Sequence, residues 1–451
     1  MSILPKGAGA AVQLPYRFAR RHRSDILRLP RRESQAGAPP PEDRRGDTMV
    51  NSVFGSVGTT IFETMSRLAA EAGAINLGQG FPEALEPEEV VEAAVAALRE
   101  GPHQYPPMPG LPALRQAVAE NAGRFLGVKV DWEKEVLVTS GATEALADCF
   151  LGLLEPGDEV LVFEPAYDSY IPIIRRAGAV PVPIRVTPPH WRLPFEEIEA
   201  AIGERTRAFV VNTPWNPIGR ILSEEELGFL GEKMLKHDLI AICDEVYEHL
   251  TFDNRPHRTL FAVPELRERV VRIGSAGKTF SVTGWKVGYV TADARLLQPI
   301  ARAHQYVTFT TPPALQAAVA FGLNLPASYF DGLRSELQKR RDILVGGLRQ
   351  AGFKVPEVEA AYFAIADIGA DIGADIGAER SASGPGDAEL CRRLTFEAGV
   401  TAVPLSAFYG AADMRSHIRF CFAKREETLH EAVERLAAWR AGEKQERRAA
   451  G

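Results

Sequence analysis

Seven short apolar runs, each long enough for a strand and separated from the next by a helical stretch or a turn, constrain this chain most. They occupy residues 136–139, 159–163, 179–184, 208–211, 239–245, 270–274 and 287–291. Runs that are apolar throughout, rather than alternating, suit strands buried on both faces. Strands that alternate with helices predict a parallel or mixed sheet covered on both sides, an α/β fold. Upstream, residues 61–72 form an amphipathic helix with Ile61, Met65, Leu68 and Ala69 on one face. A strand over 75–82 breaks into a Gly/Pro turn, and helices follow over 87–98 and from about 112 to 126. Beyond Pro326 the pattern changes to a charged helix (329–351), strands at 362–368 and 417–422, and a last helix from 426 to about 441. This predicts a second, smaller α+β domain.

The 451 residues are enough for two domains with sizeable cores, and 45% hydrophobic with 25% charged residues is ordinary for a soluble chain. A net charge of −7 argues against nucleic acid as a partner. Four scattered cysteines (Cys149, Cys243, Cys391, Cys421) form no metal-binding or disulfide pattern and suit a reducing compartment. No apolar run approaches the length of a membrane span, so neither membrane nor metal is expected, and the expected location is the cytoplasm. Residues 1–48 are rich in Arg, Pro, Gly and Ala and are expected to be a disordered extension. An organelle transit peptide has a similar composition, but the preferred reading is a true start at Met49. From Ala366 to Ala378 the unit Ala-Asp-Ile-Gly occurs three times. Calcium-binding repeats have a longer glycine-rich period, so slippage expansion of a surface loop is the better reading.

In open α/β sheets ligands bind beyond the carboxyl ends of the strands, and residues with chemistry cluster there. Ser140-Gly141-Ala142-Thr143 follows the first run and opens a helix, where free N–H groups and the helix dipole suit an anion. Tyr167 follows the second run. Asn216 sits in a turn stiffened by Pro214 and Pro217 after the fourth. Asp244 ends the fifth, with Tyr247 three residues on. After the sixth comes Ser275, then Lys278, with Lys286 eight positions beyond. Taken singly, each has an ordinary alternative: a strand-to-helix turn, a core aromatic, an N-cap carboxylate, a surface lysine. Jointly they require one ligand. One amine can form a Schiff base with an aldehyde and a second can hold an anion; a carboxylate can pair with a ring nitrogen. Pyridoxal 5′-phosphate (PLP) combines aldehyde, phosphate and pyridine.

With these residues in place, the chain from about Asn51 to Arg440 resembles the fold-type I, class I/II PLP-dependent aminotransferases. It is most similar to the group of kynurenine aminotransferase, glutamine transaminase K and bacterial methionine aminotransferases. The similar segments are Leu77 to Pro82, Asn212 to Gly219, Cys243 to Tyr247, Gly274 to Gly288 and Ile418 to Phe422. The resemblance implies a mixed, mostly parallel seven-stranded sheet in a large domain. Its implied boundaries are an N-terminal arm and part of the small domain at 49–80, the PLP-binding domain at 81–325, the small domain at 326–442 and a tail at 443–451. It implies that Lys278 carries the cofactor and moves the substrate proton. Asp244 meets the pyridine nitrogen, Asn216 and Tyr247 the ring oxygen, and Tyr167 the ring face. Gly141, Ala142, Ser275 and Lys286 hold the phosphate, with Tyr105 reaching that of a neighbouring subunit in a homodimer. Arg419, Gly80 and Asn216 bind the substrate carboxylate. Lys286 stands where many aminotransferases have arginine, a change common in this group. Trp215 is expected beside the substrate, where it would reshape the pocket.

The activity implied is ping-pong transfer of an amino group from a neutral, aromatic or sulfur-containing L-amino acid to a 2-oxo acid. Cysteine-conjugate β-elimination and N-succinyl-diaminopimelate transamination are the alternatives on the same scaffold. A PLP-binding transcription regulator is disfavoured, because residues 1–48 are too short and too rich in proline for a helix-turn-helix.

Overall fold

The computed structural model describes residues 50–368, 386–411 and 414–450, with side chains to Gly442. The expected extension 1–48 and the repeat beyond Ile368 lie outside them. The described residues form one compact unit.

All seven apolar runs are strands of one sheet: Val136–Thr139, Glu159–Glu164, Val180–Arg185, Thr206–Asn212, Ile240–Asp244, Val270–Ser275 and Gly288–Ala292. Taken in chain order, their spatial order is first, seventh, sixth, fifth, fourth, second, third. Only Gly288–Ala292 runs antiparallel to its neighbours. The fold is therefore α/β with a mixed, mostly parallel sheet. Side chains alternate across a strand, which explains why these runs are apolar throughout. Val160, Val162, Ile240 and Ile242 pack on one face against helices Ala142–Leu153 and Ala294–Val307. Leu161, Phe163, Ala241 and Cys243 pack on the other, with Leu227, Leu230 and Met234 of helix Glu224–His237.

A second core gathers helices Ala327–Gln350 and Glu426–Ala450 around a three-stranded antiparallel sheet. That sheet holds Val403–Pro404, His417–Cys421 and Phe363–Asp367. The expected strand over 75–82 shrinks to Ile75–Asn76, paired in parallel with Val400–Thr401. Asn76 ends it by turning its own side-chain oxygen onto the N–H groups of Gly78 and Gln79, at 2.9 and 3.1 Å. Helix Ile61–Ala72 forms as expected. Thr60 caps its first turn and Gly73 closes it at φ 59°, a left-handed value that suits glycine.

Candidate active site

The carboxyl ends of the parallel strands, the turns that follow them and the edge of the three-stranded sheet enclose a cavity of about 350 Å³. Gly80, Gly141, Ala142, Tyr167, Asn216, Asp244, Tyr247, Ser275, Lys278, Lys286 and Arg419 all line it. Of the expected site residues only Tyr105 is elsewhere, on an exposed loop with its ring edge-on to Phe309.

Parity along strand Ile240–Asp244 sets the first group. Ile240, Ile242 and Asp244 share the face that packs on helix Ala142–Leu153, so the carboxylate ends up beyond the core and in the cavity. Asp244 Oδ2 accepts the Tyr170 hydroxyl at 2.5 Å, while Oδ1 is buried with no hydrogen-bond partner among the described residues. Burial pushes this carboxyl upward; Tyr170, the nearby Val246 N–H and Lys278 pull it back. The neighbouring strand brings Asn212 level with Asp244. Its amide donates to the Asp244 carbonyl at 2.8 Å, and its Oδ1 accepts the Asn216 N–H at 2.8 Å. That bond turns Asn216 inward.

The same turn sends Trp215 the other way. The indole expected beside the substrate is buried in the sheet core, near Phe163, with Nε1 donating to the Pro165 carbonyl at 2.9 Å, and it does not line the cavity. The Pro165 carbonyl and the surrounding apolar side chains hold the indole there, while the Asn212 side chain clamps the Asn216 backbone.

Lys278 lies in the single helical turn Ala276–Thr279 after strand Val270–Ser275. Its Nζ is 5.8 Å from the centres of both the Tyr247 and Tyr362 rings. Burial lowers its amine to about 8 against the pull of Asp244, with Arg419 and Lys286 adding to the lowering. A sizeable fraction is then neutral, hence nucleophilic, near physiological pH.

The first turn of helix Ala142–Leu153 has the geometry to seat an anion. Gly141 sits at φ +85°, and a Cβ there would stand 3.2 Å from Lys286 Nζ. A Cβ on Gly288 would meet the Gly141 and Ala142 backbone at 2.7–2.9 Å. Both glycines keep bare amides open beside the ammonium group. Lys286 itself holds φ 54°, left-handed geometry that costs about 1 kcal/mol in a non-glycine residue and aims its side chain at the turn.

Arg419 enters from strand His417–Cys421. Nη1 donates to Asn216 Oδ1 at 2.9 Å and Nη2 to the Gly78 carbonyl at 2.7 Å; Nε has no hydrogen-bond partner among the described residues. The Phe363, Phe62 and Phe408 rings surround the guanidinium at 4.1–5.1 Å. Burial lowers it to about 10, so it remains charged at neutral pH. Tyr362 donates its hydroxyl to the Gly80 carbonyl at 2.9 Å, fixing that turn at the cavity wall.

The sequence reading missed Phe62, Phe363 and Tyr170. Tyr170 had a findable signal, since it lies one helical turn after Tyr167. Phe62 lies off the apolar face read for its helix, and Phe363 reads only as a position within its strand.

The donor set fits PLP. One orphaned carboxylate oxygen suits a protonated pyridine nitrogen, a glycine cradle beside Lys286 suits the phosphate, and a depressed lysine amine suits the aldehyde. Comparison with known proteins agrees. The family model of aminotransferase class I and II matches residues 72–436. The chain is 40% identical to the methionine aminotransferase of Escherichia coli over 380 residues, which cover 84% of this chain and 96% of that one. It is 36% identical to kynurenine–oxoglutarate transaminase 3 of Mus musculus, covering 84% and 88%. The solved N-succinyldiaminopimelate aminotransferase of Mycobacterium tuberculosis superposes with a TM-score of 0.81 at 41% identity, covering 86% of this chain and all of that one.

Proposed function

This chain belongs to the class I and II aminotransferases, which are PLP-dependent enzymes, and from that premise we propose which substrates it takes and which residues act on them. The donor is a neutral, aromatic or sulfur-containing L-amino acid, and the acceptor a 2-oxo acid, exchanged in ping-pong order. One observation carries the choice. The cavity's cations are Lys278, Lys286 and Arg419, and each has a task, so none among the described lining residues is left for a distal carboxylate. Phe62, Phe81 and Phe363 line it as well, a surface suited to an uncharged side chain.

When bound, PLP supplies a carbonyl to react with amines and a ring that takes up the electrons of the substrate Cα–H bond. The residues do the rest. Lys278 would contribute the nucleophilic amine that holds PLP and the base for the substrate Cα proton. Asp244 would hold the ring nitrogen protonated, Asn216 and Tyr247 would donate to the ring oxygen, and Tyr167 would cover one face. Gly141, Ala142, Ser275 and Lys286 anchor the phosphate. Arg419, helped by Gly80 and Asn216, grips the α-carboxylate and so aligns the Cα–H bond.

N-succinyl-diaminopimelate, the donor named for the similar M. tuberculosis enzyme, is the alternative, and it is disfavoured because its distal carboxylates would meet no unassigned cation among the described lining residues. We further propose a cytoplasmic homodimer: Tyr105, Tyr306 and Phe309 are exposed aromatics that a second copy would cover, with Tyr105 reaching its partner's phosphate. The pairing of Ile75–Asn76 with Val400–Thr401 supports a small domain made from 49–80 and 326–442, set against a large one at 81–325. A panel of donors offered to the PLP-loaded protein tests the substrate proposal. Methionine, phenylalanine and kynurenine should convert the cofactor to its amine form at least about tenfold faster than aspartate. Faster conversion by aspartate contradicts the proposal, and pyruvate with ammonia from cysteine conjugates would mark an elimination enzyme instead.

A further inference from the structure

Behind the turn 140–143 three ionisable side chains meet that the proposed reaction does not use. Helix Ala142–Leu153 carries Glu144 in its first turn and Asp148 one turn on; His304 faces both from the last turn of helix Ala294–Val307. His304 and Asp148 are wholly buried and Glu144 almost so. One carboxylate oxygen of Glu144 accepts the backbone N–H of Ser140, and the other lies 2.6 Å from His304 Nδ1. His304 Nε2 meets the Met108 carbonyl oxygen at 3.2 Å. A carbonyl only accepts, so Nε2 bears a proton, and Nδ1, facing an ionised carboxylate, bears the other. Burial opposes a charged imidazole, but the contacts with Asp148 and Glu144 outweigh it and raise His304 to about 9. Burial likewise works against Glu144, and the contact with His304 outweighs it, holding that carboxyl below its usual range. An ion pair is thus buried directly behind the turn.

A seat made of backbone amides works only if the peptide planes hold their direction, and Ser140 immediately precedes the left-handed Gly141 on which that direction depends. We propose that Glu144 and His304 are positioning residues. The carboxylate ties the Ser140 N–H back onto the helix, and the imidazolium fixes the carboxylate, so that the amides of Gly141 and Ala142 stay turned toward the phosphate. Through Met108 the same imidazole also ties down the loop that carries Tyr105. This rests on reading the turn as the phosphate seat.

The donor atoms of Glu144, Asp148 and His304 lie within 4.8 Å of one another, as they would around a metal ion. The 2.6 Å contact between Nδ1 and the carboxylate leaves no gap for an ion between them. Asp148 stands 3.7 Å from Nδ1, and burial with the nearby Glu144 charge raises it to about 7.

The test titrates apoprotein with PLP and with pyridoxal, which lacks the phosphate, and competes PLP with inorganic phosphate. Glu144→Leu is expected to raise the PLP dissociation constant about tenfold and weaken phosphate competition, while pyridoxal binding stays within about twofold. Glu144→Gln keeps an acceptor for Ser140 and should recover most of the loss. Should Glu144→Leu fail to fold, His304→Gln reads the same contrast with a change of about threefold. Equal weakening of PLP and pyridoxal, an unchanged PLP constant in a folded Glu144→Leu variant, or a stoichiometric metal in the parent protein would overturn the positioning role. Parent apoprotein that binds pyridoxal as tightly as PLP would overturn the phosphate seat as well.

Discussion

Asp244 and Glu245 are neighbours in the chain at the end of one strand, and they face opposite sides of the sheet. Glu245 has every oxygen engaged: Arg272 Nε at 2.9 Å, His257 Nε2 at 3.0 Å and the Thr259 hydroxyl at 2.5 Å. Arg272 reaches on to Glu248, which also accepts the Tyr289 hydroxyl at 3.0 Å. Asp244, which lines the cavity, has one oxygen bound to Tyr170 and one buried with no hydrogen-bond partner among the described residues. Both carboxylates are buried, so burial does not separate them. Unspent hydrogen-bonding capacity does. Buried polar groups that satisfy one another hold a fold together, and one held rigid with a free valence is set for something that arrives later.

This contrast breaks first at Lys278. Lys278→Ala should cut transamination by about 10⁴-fold or more, with near-ultraviolet circular dichroism unchanged. On the satisfied side, Arg272→Leu strands Glu245 and Glu248 as buried charges. It should cost about 3–5 kcal/mol in urea unfolding, while the folded fraction turns over as the parent does. Asp244→Asn should do the reverse, lowering turnover by about 100-fold with little change in unfolding. If Asp244→Asn and Arg272→Leu resemble each other in both assays, the distinction is void.

The two faces were unequally legible in the sequence. The seven strands could be read because burial on both faces leaves no polar interruptions, and Asp244 could be read because the apolar run stops at it. The chemistry of the site was visible through the joint occurrence of Lys278, Asp244 and Asn216 beyond successive strands, although each alone has an ordinary alternative. What escaped depended on pairings between segments distant in the chain. Glu144 and His304 are 160 residues apart, and nothing local marks either as the other's partner. Trp215 misled because its direction depends on the Pro165 carbonyl and the apolar side chains around it, a matter of geometry that residue type does not encode. The fraying of 75–82 after two residues likewise follows from Asn76 bonding its own downstream backbone.

Smaller effects sharpen the picture. Burial lowers Lys278 to about 8, so its neutral fraction grows as pH rises toward that value. PLP uptake by apoprotein should therefore climb about tenfold per unit below pH 8 and level off above it, as stopped-flow absorbance would record. Trp215→Phe loses only the bond to Pro165 and some ring volume. About 1 kcal/mol of stability should go, with the ranking of amino donors unchanged. A changed ranking would return Trp215 to the pocket.

The most direct measurement traps the aldehyde. The protein loaded with PLP is reduced with borohydride, digested and mapped by mass spectrometry. The pyridoxyl mass is predicted on the peptide carrying Lys278, with Lys286 unmodified. Label on Lys286, or spread over surface lysines with Lys278 clear, would contradict the assignment of nucleophile and anion holder on which the whole site rests.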